Sequence, residues 1–374
     1  MENENDANWF VINNIDTIDS PALVVYPDRV KYNIDVLLSM VDDVNRMRPH
    51  VKTHKSREPI ELLMQAGIKK FKCATIAEAE MLASAGVPDI LLAYQPSLPK
   101  IIRLVSLIKK YPSSVFSCLV DNKASAKTIS EAVAKEGLEL SIYIDLNVGM
   151  NRTGIVPGND VIELYKYCSE LKNIVPVGLH AYDGHIRAKD FQERTMECDA
   201  AFAPVEQLQQ QLVAAGFDEP VIIAGGSPTF PIHAKRKNIE CSPGTFIFWD
   251  YGYQTNCPEQ HFEVAALVIS RIISKPAKGK ICLDLGHKSI AAENELQKRV
   301  YFLNAPALKF TGQSEEHLIF ETDSDSDYEV GDVFYGIPYH ICPTVALYER
   351  AITVENREAK GEWKIIARDR KINI

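Results

Sequence analysis

Between Met47 and Phe248 the chain alternates short β-rich runs with longer stretches of helical periodicity. The β-rich runs are Met47–His54, Phe71–Thr75, Ile90–Gln95, Val115–Val120, Leu140–Asn147, Val175–Tyr182, Val221–Gly226 and Ile239–Phe246. Between them lie patterns such as Ile76–Ala83 and Phe191–Ala215, whose apolar positions recur at helical spacing. Eight β–α repeats with short, mostly apolar strands predict a closed parallel barrel of the (β/α)8 TIM type. An open doubly wound sheet is the runner-up, but it ordinarily has fewer strands and a Gly-rich dinucleotide loop, which the sequence lacks.

The texture changes after about Tyr253. Helical periodicity fades, and Glu263–Ile273, Lys280–Leu285, His317–Glu321, Val333–Ile337 and Lys364–Ala367 read as strands between polar turns. Near the start, Ser20–Val25 reads as one more strand, followed by an amphipathic helix over Asp28–Val44. The expected organisation is a barrel over residues 20–250 and a mainly-β domain over 1–19 and 251–374. Asp323-Ser324-Asp325-Ser326-Asp327 reads as a solvated acidic turn.

Composition narrows the function. With 46% apolar and 24% charged residues the chain is an ordinary globular sequence. A net charge of −9 without a basic block argues against nucleic acid and anionic membrane as partners. No apolar run reaches transmembrane length, and Met1–Asn8 is acidic and polar rather than signal-like. The cytoplasm is therefore the expected compartment, with the eight cysteines as reduced thiols.

Candidate chemistry gathers where a barrel carries it, at the C-terminal strand ends. Lys52 ends strand one in Arg48-Pro49-His50-Val51-Lys52-Thr53-His54-Lys55, and period two places His50, Lys52 and His54 on one face. A lysine held there away from water loses solvation, its pKa falls, and it becomes able to form a Schiff base. Lys55 is the rival, but it lies past the strand end. Strand seven runs into Gly225-Gly226-Ser227 and strand eight into Ser242-Pro243-Gly244-Thr245. Taken singly these are turns; at these two barrel positions they form a phosphate seat from Gly226, Ser227, Gly244 and Thr245. Arg152, on the loop after strand five, suits a phenolic oxyanion, and Tyr182 and His185 after strand six suit a cofactor ring or proton transfer. His180 reads equally well as a structural histidine. In the β domain, His340 and Cys342 stand two apart in an extended segment and suit one Zn²⁺, with positions left for substrate and water. Taken alone, a His-x-Cys pair arises often by chance, and a buried cysteine is its ordinary reading.

Together these residues resemble the fold-type III pyridoxal-phosphate enzymes, specifically the D-threonine aldolase and D-serine dehydratase family, whose barrel is of the alanine racemase type. The likeness runs through Ser20–Val24, the Arg-Pro-His-x-Lys-Thr-His-Lys stretch, Gly149-Met150-Asn151-Arg152, Gly225–Ser227, Ser242–Thr245 and His340/Cys342. It implies a Schiff base on Lys52, with Arg152 near the cofactor's phenolic oxygen and Tyr182 near its ring. It also implies phosphate contacts from Ser227, Gly244 and Thr245, and a divalent metal on His340 and Cys342. Ser242 departs from the alanine racemases, which carry an arginine there. His287 and Lys288 resemble a family segment without an assigned role. The expected function is a pyridoxal 5'-phosphate- and metal-dependent lyase acting on D-3-hydroxy amino acids, as aldolase or dehydratase, and the resemblance suggests a homodimer. Cys342 resembles the dehydratases, whereas Phe248–Tyr253 looks nearer to the aldolases. An amino-acid racemase or a non-catalytic cofactor-binding protein are the alternatives.

Overall fold

The computed structural model describes residues 8–374; the acidic start, residues 1–7, lies outside them. Two compact units emerge. One takes the chain up to Val36, Thr53–Pro59 and Thr245–Arg368; the other takes Leu37–Lys52, Ile60–Gly244 and Asp369–Ile374.

The chain enters through strand β1 (Ala22–Val25) and helix α1 (Pro27–Ser39). The helix is shorter than its expected span to Val44: it ends at Ser39, and Val44–Arg46 is a separate 3-10 turn capped by Asp43. After α2 (Arg57–Gln65) the barrel unit repeats β2 (Lys70–Cys73), α3 (Ile76–Ser84), β3 (Asp89–Leu92), α4 (Leu98–Lys110), β4 (Val115–Val120) and α5 (Lys123–Lys135). It continues with β5 (Leu140–Leu146), α6 (Asn159–Glu170), β6 (Ile174–Ala181), α7 (Phe191–Ala214), β7 (Val221–Ala224), α8 (Phe230–His233) and β8 (Ile239–Cys241). All seven strands run parallel in sequence order. Residues 47–51 fill the gap between β8 and β2. Arg48 N–H donates to Cys241 C=O and His50 N–H to Pro243 C=O on one side. On the other, Val51 N–H donates to Lys72 C=O and Lys72 N–H to Pro49 C=O. The expected first strand thus closes the barrel, although it is one residue-pair short of a regular ladder on each side.

Local chemistry fixes the helix starts. Thr75 accepts from Glu78 N–H while the Glu78 carboxylate reaches back to Ala74 N–H, a capping box displaced by one residue. Asn122 and Asp190 cap α5 and α7 in the same way. Inward-facing residues Leu91, Leu119, Tyr143 and Ile223 come from four different strands and fill the barrel as one cluster. Below it, Arg48 is 1% exposed and is bound by Glu240 at 2.6 Å and by both oxygens of Asp89 at 2.6 and 3.0 Å. This arginine, which reads from sequence as part of a basic stretch, is a fully paired interior charge.

The other unit holds α9 (Tyr251–Asn256) and a nine-stranded sheet. After β1 it adds β9 (Ala266–Ala277), β10 (Lys280–Leu283), β11 (Val300–Phe302), β12 (Lys309–Gln313), β13 (Leu318–Glu321), β14 (Val333–Pro338), β15 (Arg350–Glu355) and β16 (Glu358–Lys364). The spine is β12-β13-β10-β9-β1-β15-β16, with β14 joining β9 and β11 joining β14. Lys364–Ala367, expected as a strand, is instead the last residue of β16 and a 3-10 turn. Helix α10 (Ile341–Val345) follows β14.

Candidate active site

In the barrel unit, Lys52 follows the closing segment and is half-buried. Its backbone N–H donates to His50 Nδ1 at 3.2 Å. The shared face expected for His50, Lys52 and His54 does not extend to His54, because residues 51–54 turn instead of continuing the strand. His54 belongs to the β unit, where its ring is buried against Phe248, its Nδ1 meets Ser56, and burial pushes the imidazole down to about 3. Lys55 adopts a left-handed φ of 53° and gives its carbonyl to Ala367 N–H.

Tyr182 is the centre of the barrel-unit site. Lys52 Nζ lies 5.8 Å from its ring centroid and Arg152 Cζ lies 4.9 Å from it. Two glycines make room for the ring: a Cβ on Gly184 would sit 2.3 Å from Tyr182 atoms, and one on Gly226 would sit 3.1 Å away. Arg152 is exposed and lines a cleft of about 390 Å³ with Asp121, Asn147, Asn151, Thr153 and Gly154. His185 is exposed and packs against Gly149 rather than against Tyr182. His180 Nδ1 meets Asp145 at 2.7 Å. Burial pushes that imidazole down; burial also raises the Asp145 carboxyl, but His180, Thr153 and the charge of Arg152 together hold it low.

The two glycine loops are buried and joined: Gly244 N–H donates to Ser227 Oγ at 3.4 Å. The β7 loop is braced from behind by Asp183, which accepts from Thr229 Oγ1 and His233 Nε2 at 2.8 Å each. Cys198 joins this cluster, so three potential metal ligands converge within 4.8 Å. Arg236 settles its chemistry. Its Nη1 lies 2.7 Å from His233 Nδ1, so that nitrogen accepts, Nε2 carries the proton toward Asp183, and no ring lone pair is left for a cation. The cluster is a positioning network, and sequence reading missed it because its members lie on three separate elements.

In the β unit, His340 and Cys342 do not lie on an extended segment. His340 is the residue before α10 and Cys342 stands in its first turn, where Pro343 is tolerated because no N–H is needed. The His340 ring hydrogen-bonds the Cys342 thiol, and its Nδ1 is held by Glu293. Burial pulls the imidazole down, but these partners carry it up to about 9. Cys342 Sγ also lies 3.2 Å from Thr53 Oγ1, the residue after Lys52 in the chain, and 3.7 Å from Thr245 Oγ1. Asp250 accepts from Tyr253 N–H and from Ile341 N–H, tying α9 to the start of α10; burial raises its carboxyl to about 6. His287 and Lys288 are exposed, and Lys288 pairs with Glu315 and Glu316.

These donor sets fit the groups expected of them. An amine and a guanidinium beside an aromatic ring, with two glycine loops nearby in the fold, suit an anionic ring cofactor. An imidazole whose second nitrogen is fixed by a carboxylate, beside a thiol, suits a transition-metal cation. All eight cysteines are free, and among the described residues no helix is long and apolar enough to cross a membrane.

Residues 25–252 match the model described as "Alanine racemase, N-terminal domain", and residues 265–354 match "Putative serine dehydratase domain". The chain belongs to the alanine racemase N-terminal-domain family, a pyridoxal-phosphate fold. It is 26% identical to the D-threonine aldolase of an Arthrobacter species over 94% of this chain and 93% of that protein. It is 25% identical to the 3-hydroxy-D-aspartate aldolase of Paracoccus denitrificans (strain Pd 1222), over 94% and 92%. It is also 25% identical to the D-threo-3-hydroxyaspartate dehydratase of Delftia sp. (strain HT23), over 89% and 93%. Among solved structures, D-threonine aldolase from Filomicrobium marinum superposes with a TM-score of 0.87 at 24% identity, over 94% of this chain and 95% of that one. A cysteine-to-alanine variant of D-threo-3-hydroxyaspartate dehydratase, solved in the metal-free form, gives 0.81 at 22%, over 93% and 97%. The chain is an enzyme of the lyase class, the class its full-length relatives share.

Proposed function

We propose that the protein is a pyridoxal-phosphate- and metal-dependent lyase acting on D-3-hydroxy amino acids. The observation that carries the reading is the His340–Cys342 pair, hydrogen-bonded together and oriented by Glu293, in a chain whose barrel carries Lys52 beside Tyr182. A racemase needs two bases and no such pair. The names of the full-length relatives, aldolases and a dehydratase of 3-hydroxy amino acids, support the same substrate class.

Lys52 would hold the cofactor through its amine, with Arg152 donating to the phenolic oxygen and Tyr182 flanking the ring. Gly226, Ser227, Gly244 and Thr245 would take the phosphate. His340 and Cys342 would hold a divalent cation, zinc by donor type. When bound, the cofactor supplies an electron sink and the cation a Lewis acid for a hydroxyl oxygen. The Lys52 amine would be the group that moves a proton at the substrate's Cα. Glu293 keeps the His340 ring oriented by accepting at Nδ1, which leaves the other ring nitrogen for the cation. The Asp183 network holds the β7 loop in place. The test is turnover of D-threonine, D-serine and 3-hydroxy-D-aspartate with and without chelator. Metal-dependent release of aldehyde or ammonia supports the reading, and metal-independent racemisation overturns it.

A further inference from the structure

The Tyr182 ring has a third cationic neighbour besides Lys52 and Arg152. Lys72 Nζ lies 5.8 Å from the ring centroid, the same distance as Lys52 Nζ. The backbone explains the coincidence. His50 and Lys72 form a parallel bridge, so their side chains share the barrel's inner face; Lys52 follows in the turn at residues 51–54, and its charge acts on Lys72.

Lys72 is 3% exposed. Among the described residues no carboxylate is in ion-pair reach of it. The acidic groups that act on it, Asp145 and Asp183, are already committed to His180 and to Thr229 and His233. Arg48, Lys52, His180 and Arg152 are the other charged or titratable groups around this face, with Tyr182 between the amines. A lysine kept for structure would be paired. Among the described residues this one has no carboxylate paired with it and stands near a second amine, the arrangement that makes an amine exchange its proton near neutrality. Burial, and after it the charge of Lys52, pushes the Lys72 amine down to about 7.

We propose that Lys72 is a positioning residue of the Lys52 site: it sets the protonation of the lysine-bound cofactor by holding one positive charge beside it in acid and releasing that charge in base. This rests on Lys52 being the cofactor lysine. The exchange is a proton transfer with solvent alone; a proton joins the Nζ lone pair on one side of neutrality and leaves on the other, and no bond to carbon forms.

The experiment follows the visible absorbance of the cofactor-loaded wild type, Lys72→Met and Lys72→Arg across roughly pH 5 to 10. The wild type is expected to show an inflection near neutral pH. Lys72→Met should lose it and move the chromophore's own transition up by roughly one pH unit or more, because the neighbouring charge is gone. Lys72→Arg, which keeps its charge throughout, should lose the neutral inflection without that upward move. Superimposable curves for wild type and Lys72→Met would overturn the proposal. If Lys72→Met does not hold cofactor, persistence of the neutral inflection in Lys72→Arg overturns it instead. A wild type with no visible band would defeat the Lys52 reading itself, a distinguishable outcome.

Discussion

The ammonium of Lys52 stands 5.8 Å from the centre of the Tyr182 ring, at the end of the segment that closes the barrel. On the proposed reading Lys52 is the cofactor lysine, whereas Lys55, the rival, has a left-handed φ of 53° and follows the turn. Lys52→Ala should therefore abolish the visible band that appears on adding pyridoxal phosphate, while Lys55→Ala keeps it. A band surviving in Lys52→Ala would move the anchor elsewhere.

Metal content separates the two clusters of potential ligands. Cys342→Ala should lose the bound divalent cation on dialysis and keep the cofactor. Glu293→Gln, which weakens the hold on the His340 ring, should lower metal affinity by roughly 10–100-fold. Cys198→Ser should leave the metal content unchanged, because Arg236 already occupies His233 Nδ1. Elemental analysis of the three variants checks all of this at once, and metal loss in Cys198→Ser would put the cation in the barrel.

The Asp183 network should matter for stability and cofactor retention together. His233→Ala leaves a buried carboxylate short of one donor, at a cost of roughly 1–3 kcal/mol. It also loosens the loop ahead of Ser227, so the dissociation constant for pyridoxal phosphate should rise. Chemical denaturation and a cofactor titration would show both effects; a destabilised variant with unchanged cofactor affinity would detach the network from the phosphate loop.

Lys72 also predicts a stability slope in the cofactor-free protein. Its folded pKa, about 7, lies below the unfolded value of 10.5. The unfolded chain thus binds more protons between these limits, and stability rises with pH across that window. Below it the full penalty is present. Lys72→Met removes the penalty, so it should gain up to roughly 4–5 kcal/mol at and below pH 7 and show a flatter pH profile above it. Denaturation midpoints of equal pH slope in the two proteins would show that Lys72 keeps an ordinary amine.

The barrel was legible because its strands are short, mostly apolar runs and those from β2 to β6 are each followed by a helix of nine residues or more, as in Phe71–Cys73 leading to Thr75-capped α3. The strands of the other unit were harder. Glu358–Lys364 pairs only with β15 and has one buried residue, Trp363, so it carries no apolar alternation to read. The Lys52 stretch, the glycine loops and the His-x-Cys pair stand in local motifs, whereas Glu293, Asp250 and the Asp183–His233–Arg236 network meet only in the fold. Lys72 did leave a signal: a charged residue in the middle of a strand expected to be buried on both sides.

The most direct test gives the cofactor- and zinc-loaded protein a panel of D-3-hydroxy amino acids and measures aldehyde, ammonia and enantiomer exchange in parallel. Aldehyde or ammonia is expected from D- but not L-substrates, lost with a chelator and restored by the metal. Enantiomer exchange that survives the chelator, with neither product released, would contradict the lyase reading.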